Sequence, residues 1–247
     1  MDHHNIKKWL AKKRPALTEE LASNRLAWAI EHVTWTAADW ARILFSDEAS
    51  IELSRGKKQV WVFRTPSQKW DTNMIEPVAK GKQLSVMIWG AINLLDAKLE
   101  LGLMERDEES PGGGYTAGSY IKILDENFLY AYYPGYQYQQ DNARIHTAKK
   151  TQEYLESHGI WTISWPAYSL DLNPIEHVWA KLKEILYERH PDLLSMKGKA
   201  EQDIEYLFEC LLDSWEHLPV DYIYSCIGSM QTRCQAVIDA KGWYTRF

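Results

Sequence analysis

Residues 136–187 read YQYQQDNARIHTAKKTQEYLESHGIWTISWPAYSLDLNPIEHVWAKLKEILY, and the order of elements within them decides the fold. An alternating pattern runs as a strand into Asp141. A helical pattern follows from about residue 147 to 158, with Gly159 as its C-cap. A short strand, 161–165, leads into a proline-containing turn. A second helix opens with Asn173-Pro174-Ile175-Glu176. Its apolar residues Ile175, Val178, Trp179, Leu182, Ile185 and Leu186 repeat with the helical period. Two carboxylates, Asp141 and Glu176, thus arrive at the ends of neighbouring elements with 34 residues between them.

Upstream, the apolar run 42–46 reads as a buried strand with Asp47 at its end. Further strands are expected at 60–63, 84–89 and 99–104, and a helix at 119–130. The segment 64–82, with Pro66, Pro77 and Gly81, reads as an ordered loop or lengthened hairpin. The acidic run and the Pro-Gly-Gly-Gly of 105–118 read as loop. Nearer the N-terminus, Thr18 caps a helix whose apolar side is Leu21, Leu26, Ala29, Ile30 and Val33, and Thr36 caps a short helix holding Trp40. From residue 198 on, two or three helices are expected. Strands alternating with helices make an α/β order, a mixed sheet covered by helices.

Composition narrows the function. The 247 residues suffice for one large domain or two small ones, and 12 Trp and 14 Tyr are unusually many. No apolar run approaches the roughly 18 residues of a membrane span, and Met1-Asp2-His3-His4 opens no signal peptide. An intracellular, unsecreted protein is expected. Three widely spaced cysteines, Cys210, Cys226 and Cys234, form neither a disulfide framework nor a zinc motif. The net charge of −6 counts against nucleic acid, but charge is unevenly spread. Residues 55–82 carry Arg55, Lys57, Lys58, Arg64, Lys69, Lys80 and Lys82 against Asp71 and Glu76, a local balance of +5.

Hydrolysis of a phosphodiester with two metal ions needs carboxylates that converge, because hard divalent cations prefer oxygen. Asp47, Asp141 and Glu176 have that pattern. Each has a plainer reading: Asp47 ends a strand, Asp141 makes an Asx turn, and Glu176 completes a capping box with Asn173. His146 and His177 read as a local hydrogen-bonding partner and a helix-surface residue. The basic residues of 55–82 read either as a solvated face or as a phosphate-binding surface.

Three segments together resemble the catalytic domain of mariner-superfamily (Tc/mariner-type) DDE transposases: Leu44-Phe45-Ser46-Asp47-Glu48, Gln140-Asp141-Asn142-Ala143-Arg144-Ile145-His146-Thr147-Ala148, and the run from Ser169 through Asn173-Pro174-Ile175-Glu176 to Trp179. The likeness is to the branch with 34 residues between the second Asp and the Glu, and the C-terminal Gly242-Trp243-Tyr244-Thr245-Arg246-Phe247 extends it. It implies an α/β, ribonuclease-H-like fold: a mixed five-stranded sheet flanked by helices, with extra C-terminal helices. Residues 1–41 become a basic lead-in with linker helices, and 42–247 the catalytic domain. The helix-turn-helix domains that usually come first in this family are expected to be absent.

The resemblance implies Asp47, Asp141 and Glu176 as catalytic ligands for two Mg²⁺ or Mn²⁺. The expected reaction is hydrolysis at transposon ends, then attack of the freed 3′-hydroxyl on target DNA at TA. Expected partners are DNA and a second copy in a homodimer on paired ends, with neither a membrane nor a small-molecule substrate, in the nucleus. The candidate DNA contacts are Arg55, Lys57, Lys58, Arg64, Lys69, Lys80, Lys82, His146 and Arg233. Leu170 stands where the family usually has proline, and Met230-Gln231-Thr232-Arg233 departs from a usual M-P-R-R. A retired or truncated transposase, acting only by binding DNA or dimerising, is the alternative, and another metal nuclease on the same fold is a further one.

Overall fold

The computed structural model describes residues 16–52, 85–194, 196 and 200–247. The centre is strand β1 (Ile43–Glu52), which pairs antiparallel with β2 (Ser85–Ile92) and parallel with β4 (Gln137–Gln139). β3 (Gly102–Met104) pairs antiparallel with β2, giving the order β3-β2-β1-β4.

Side chains alternate across a strand, and the alternation splits the core in two. Ile43, Phe45, Ala49 and Ile51 of β1, with Val86, Ile88 and Ile92 of β2, join a core with α6 (Ile175–Arg189), α7 (Glu201–Glu216), α8 (Val220–Gly228) and α9 (Met230–Asp239). Leu44, Trp89, Ala91 and Tyr138 point the other way, onto α3 (Ala117–Asn127) and α5 (Lys149–Ser157). Among the described residues no helix is long and apolar enough to cross a membrane.

Several expectations shift. β1 runs well beyond Ser46, so Asp47 lies inside the strand rather than at its end. The sheet has four strands among the described residues, not five. Segment 161–165 supplies one parallel bridge, Tyr138 with Thr162. Two backbone hydrogen bonds to Tyr138 form that bridge, and side chains take groups on either side of it: the Trp161 N–H donates to the Tyr132 hydroxyl, and the Ser164 and Trp165 carbonyls accept from Trp28 Nε1 and Asn142 Nδ2. The expected strand at 60–63 and the basic segment lie outside the described residues. The helix expected over 147–158 is α5, and a short further helix, α4 (Arg144–Thr147), precedes it, separated by Ala148, whose ψ is 139°.

The N-terminal helices are part of the body. Thr18 caps α1 (Glu19–His32) and Thr36 caps α2 (Ala37–Trp40), as expected. The buried face of α1 is Ala22, Arg25, Trp28, Ala29 and His32, and Ile30 is exposed. Arginine therefore takes a core position that the apolar pattern assigned elsewhere.

Candidate active site

Asp47 interrupts the apolar stripe that β1 turns towards α6, between Phe45 and Ala49. Its partner on β2 is Gly90. A Cβ on Gly90 would lie 2.7 Å from the Trp179 ring. The absent side chain gives that indole its place, and its Nε1–H donates to Asp47 Oδ2 at 3.3 Å.

The parallel register brings Asp141 alongside. Ile43, Leu44 and Phe45 pair with Gln137, Tyr138 and Gln139, the ladder ends there, and two residues on the chain brings Asp141 to the cavity that Asp47 also lines. Asp141 Oδ1 accepts from the Ala143 N–H at 2.8 Å, the Asx turn of the plainer reading. It also meets His146 Nδ1 at 2.7 Å, and His146 Nε2 meets Glu48 Oε1 at 3.2 Å.

Glu176 lies in the first turn of α6, three residues before Trp179 and so on the same side of the helix. The start of α6 is fixed on the sheet by Asn173. Its Nδ2 donates to the Ser46 carbonyl at 3.0 Å, and its Oδ1 accepts from the Ile175 N–H at 3.3 Å. The expected capping box is incomplete, because the Asn173 N–H donates to the Leu170 carbonyl instead.

Asp47 and Asp141 both line a cavity of about 320 Å³, walled by Trp165, Tyr168, Leu170 and Asn173. Burial, then the charges of Glu48, Glu176 and Asp141, push the Asp47 carboxyl well above the usual range. Asp141 goes the other way. Burial raises it, but the His146 and Ala143 hydrogen bonds outweigh this and hold it low. For His146 burial favours the neutral ring, yet the bonds to Asp141 and Glu48 prevail and raise it to about 10. At neutral pH it is an imidazolium donating to a carboxylate at each nitrogen.

Among the described residues, no three His, Cys, Asp or Glu side chains stand close enough to hold one ion in this arrangement. Asp141 is turned onto His146 and Asp47 onto Trp179. The donors still fit hard divalent cations. All are carboxylates, two open into one cavity, and the third adds to the negative field on Asp47, a field that a cation relieves.

Two candidate DNA contacts turn inward. His146 is 2 % exposed and bridges Glu48 and Asp141, while Arg233 is 1 % exposed and spans Ser229, the Asp171 carbonyl and His177. Both side chains are buried and engaged by protein groups in this arrangement. The other candidates, Arg55, Lys57, Lys58, Arg64, Lys69, Lys80 and Lys82, lie outside the described residues. The residues missed in the sequence are Glu48, Trp179 and Arg25. Glu48 directly follows an acid already singled out, but its bond to His146 spans 98 positions.

A family model described as DDE superfamily endonuclease matches residues 140–197, the stretch holding Asp141 and Glu176. The chain is 28 % identical over 235 residues to the transposable element Tc1 transposase of Caenorhabditis elegans, covering 95 % of this chain and 81 % of that protein. It is 29 % identical over 246 residues to the Tcb2 transposase of Caenorhabditis briggsae, with the same coverages. Among solved structures it is similar to the Mos1 transposase paired-end complex with left transposon end, at a TM-score of 0.71 and 18 % identity, covering 98 % of this chain and 68 % of that one. The crystal structure of the Mos1 mariner catalytic domain is similar at a TM-score of 0.61 and 17 % identity, covering 95 % and 100 %. With those motifs on a ribonuclease-H-like sheet, the chain is similar over nearly its whole length to Tc/mariner-type DDE transposases.

Proposed function

We propose that this domain cuts and joins DNA: it hydrolyses phosphodiesters at transposon ends and transfers the resulting 3′-hydroxyl ends into target DNA at TA. The observation carrying this reading is that Asp47 of β1 and Asp141, two residues past β4, line one cavity, and that the charge of Glu176, in the first turn of α6, acts on Asp47. Asp47, Asp141 and Glu176 are the residues that would hold two divalent ions, Mg²⁺ or Mn²⁺. Such ions, when bound, activate the attacking oxygen and stabilise the leaving one. Similar structures include a Mos1 strand transfer complex, and Mos1 catalytic domains with Mn and with Mg.

The chain's own groups position and shield. His146, with Glu48 behind it, fixes the orientation of Asp141. Trp179 fixes Asp47, and Asn173 ties the start of α6 to the Ser46 carbonyl. Trp165, Tyr168 and Leu170 wall the cavity and limit water around a phosphate seated there. The partner is DNA, bound by two copies on paired ends, a reading supported by the fold shared with the Mos1 paired-end complex and the pre-cleavage Mos1 transpososome. Residues 1–41 serve as a linker and 42–247 as the catalytic unit, working in the nucleus, where the substrate is. The basic residues of 55–82 serve as phosphate contacts.

The test is strand transfer. Pre-cut ends with a 3′-hydroxyl are incubated with supercoiled plasmid and Mn²⁺, comparing the chain with Asp141→Ala. Losing a ligand should lower nicking and joining by more than about 100-fold, beyond the 10–100-fold typical of outer-shell partners. Equal activity in the two proteins would sink the reading.

A further inference from the structure

Among the described residues, Arg25 is a heavily engaged side chain that the proposed chemistry leaves unused. It lies on α1 and is 1 % exposed. Its Nη1 donates to Asp171 Oδ1 and to Ser169 Oγ, each at 2.8 Å, and to the Tyr168 carbonyl at 3.1 Å. Its Nη2 donates to Asp171 Oδ2 at 2.7 Å, and its Nε to the Gly242 carbonyl at 2.8 Å. The guanidinium thus grips the Asp171 carboxylate with both arms, and the turn around it at two further points.

Asp171 collects ties from two other segments. Thr245 Oγ1 donates to Oδ2 at 2.7 Å, and Arg233 Nη1 donates to its carbonyl at 2.6 Å. This turn walls the cavity and leads, five residues later, to Glu176. It is not a relaxed piece of chain. Tyr168 sits at φ 55°, a left-handed conformation that a bulky residue keeps only where its surroundings impose it. Leu170 is exposed and gives the turn no apolar anchor. Its conformation rests on polar ties, chiefly the Arg25 fork. Gly242 lets that tie close. Its φ is 84°, and a Cβ there would overlap the Ala22 carbonyl of α1 at 1.8 Å.

We infer that Arg25 is a positioning residue for the metal site. By clamping turn 168–171 it sets where α6 begins, and so where Glu176 stands relative to Asp47 and Asp141. This rests on Glu176 being a metal ligand, and makes the site's geometry depend on a helix that precedes the catalytic sheet. A lysine cannot replace the planar fork, since an ammonium makes no bidentate grip on a carboxylate.

The experiment titrates the full chain with Mn²⁺ alone, following tryptophan fluorescence, because Trp165 lines the cavity and Trp179 touches Asp47. Arg25→Lys, Arg25→Ala and Glu176→Gln are compared. Arg25→Lys should raise the half-saturating Mn²⁺ by about 10-fold or more, as for residues that orient metal ligands. Guanidinium added to Arg25→Ala should lower it again. Arg25→Lys keeps the charge and most of the volume, so it decides the matter if Arg25→Ala does not fold. Unchanged half-saturation in Arg25→Lys, with Glu176→Gln weakened, overturns the clamp and leaves the metal site standing. Unchanged half-saturation in Glu176→Gln removes the ligand on which both depend.

Discussion

At the scale of single residues, the site holds charge under opposed pressures. Asp47 is buried and faced by Glu48, Glu176 and Asp141, so its carboxyl is raised well above its ordinary value. For an acid with a raised folded pKa, ionisation costs stability. The cost appears as pH rises above the unfolded value of about 4. The metal-free Asp47→Asn protein should therefore be more stable at pH 7 than the parent. Its melting temperature should rise, at about 2–4 °C per kcal/mol for a domain of this size, while nicking is lost. Calorimetry with a chelator present measures the first effect and plasmid nicking the second. A lower melting temperature in Asp47→Asn would mean that the negative field on Asp47 is balanced elsewhere. His146 shows what proximity in sequence conceals. Its distance from Asp141 suggested a local partner, and it is one, but its second carboxylate comes from β1.

At the scale of elements, α6 carries Glu176 and Trp179 to the site, and Trp179 is seated on the sheet at a glycine. Gly90→Ala would push a methyl into the Trp179 ring from β2. Overpacking of this kind costs about 1–3 kcal/mol, and here it also shifts the indole that holds Asp47. The expected result is a melting temperature lower by several degrees and a larger fractional loss of nicking, compared by calorimetry and plasmid assay. Full activity in Gly90→Ala would show that Trp179 does not set Asp47.

The elements also mark what could be read in advance. The 3.6-residue period of α6 is plain in the sequence, because burial on one face writes itself into spacing, whereas the strand before Asp141 is shorter than expected, ending at Gln139, with Tyr138 and Gln139 buried on opposite faces. The end of β1 is not plain either. Polar Ser46, Asp47 and Glu48 look like a terminus, yet β2 pairs with them through Gly90, Ala91 and Trp89. The break between α4 and α5 falls at Ala148, a residue with no chemistry of a helix breaker. The fifth strand shrinks to one bridge, with side chains from α1 and from the Asp141 turn on its next carbonyls. Arg25 escaped notice because its ligands lie more than a hundred residues away, and no local pattern encodes an arginine in a core.

At the scale of the whole molecule, α1 packs on α9, and both reach the turn before α6. The electrostatic counterpart is Asp171. Burial alone would raise its carboxyl, but Arg25 first and then Thr245 hold it below its ordinary value. A depressed carboxylate contributes stability above its unfolded pKa of about 4, lost as pH falls through the folded value. Acid unfolding of the parent should show this loss below about pH 4. Asp171→Asn should be less stable at pH 7 and show a flatter acid limb, read by circular dichroism from pH 7 to 2. Parallel acid limbs in the two proteins would remove Asp171 from the linkage.

The tie between Arg25 and Gly242 also has a schedule. Arg25 leaves the ribosome 217 residues ahead of the carbonyl it binds, which at about 5–20 residues per second is a wait of roughly 10–40 s. Until then the chain can build its sheet, and α1 can seat Trp28 on Trp165 and grip Asp171, but the tie to Gly242 stays open. A domain assembled in this order closes the last clasp on its first helix only once residue 242 has been made.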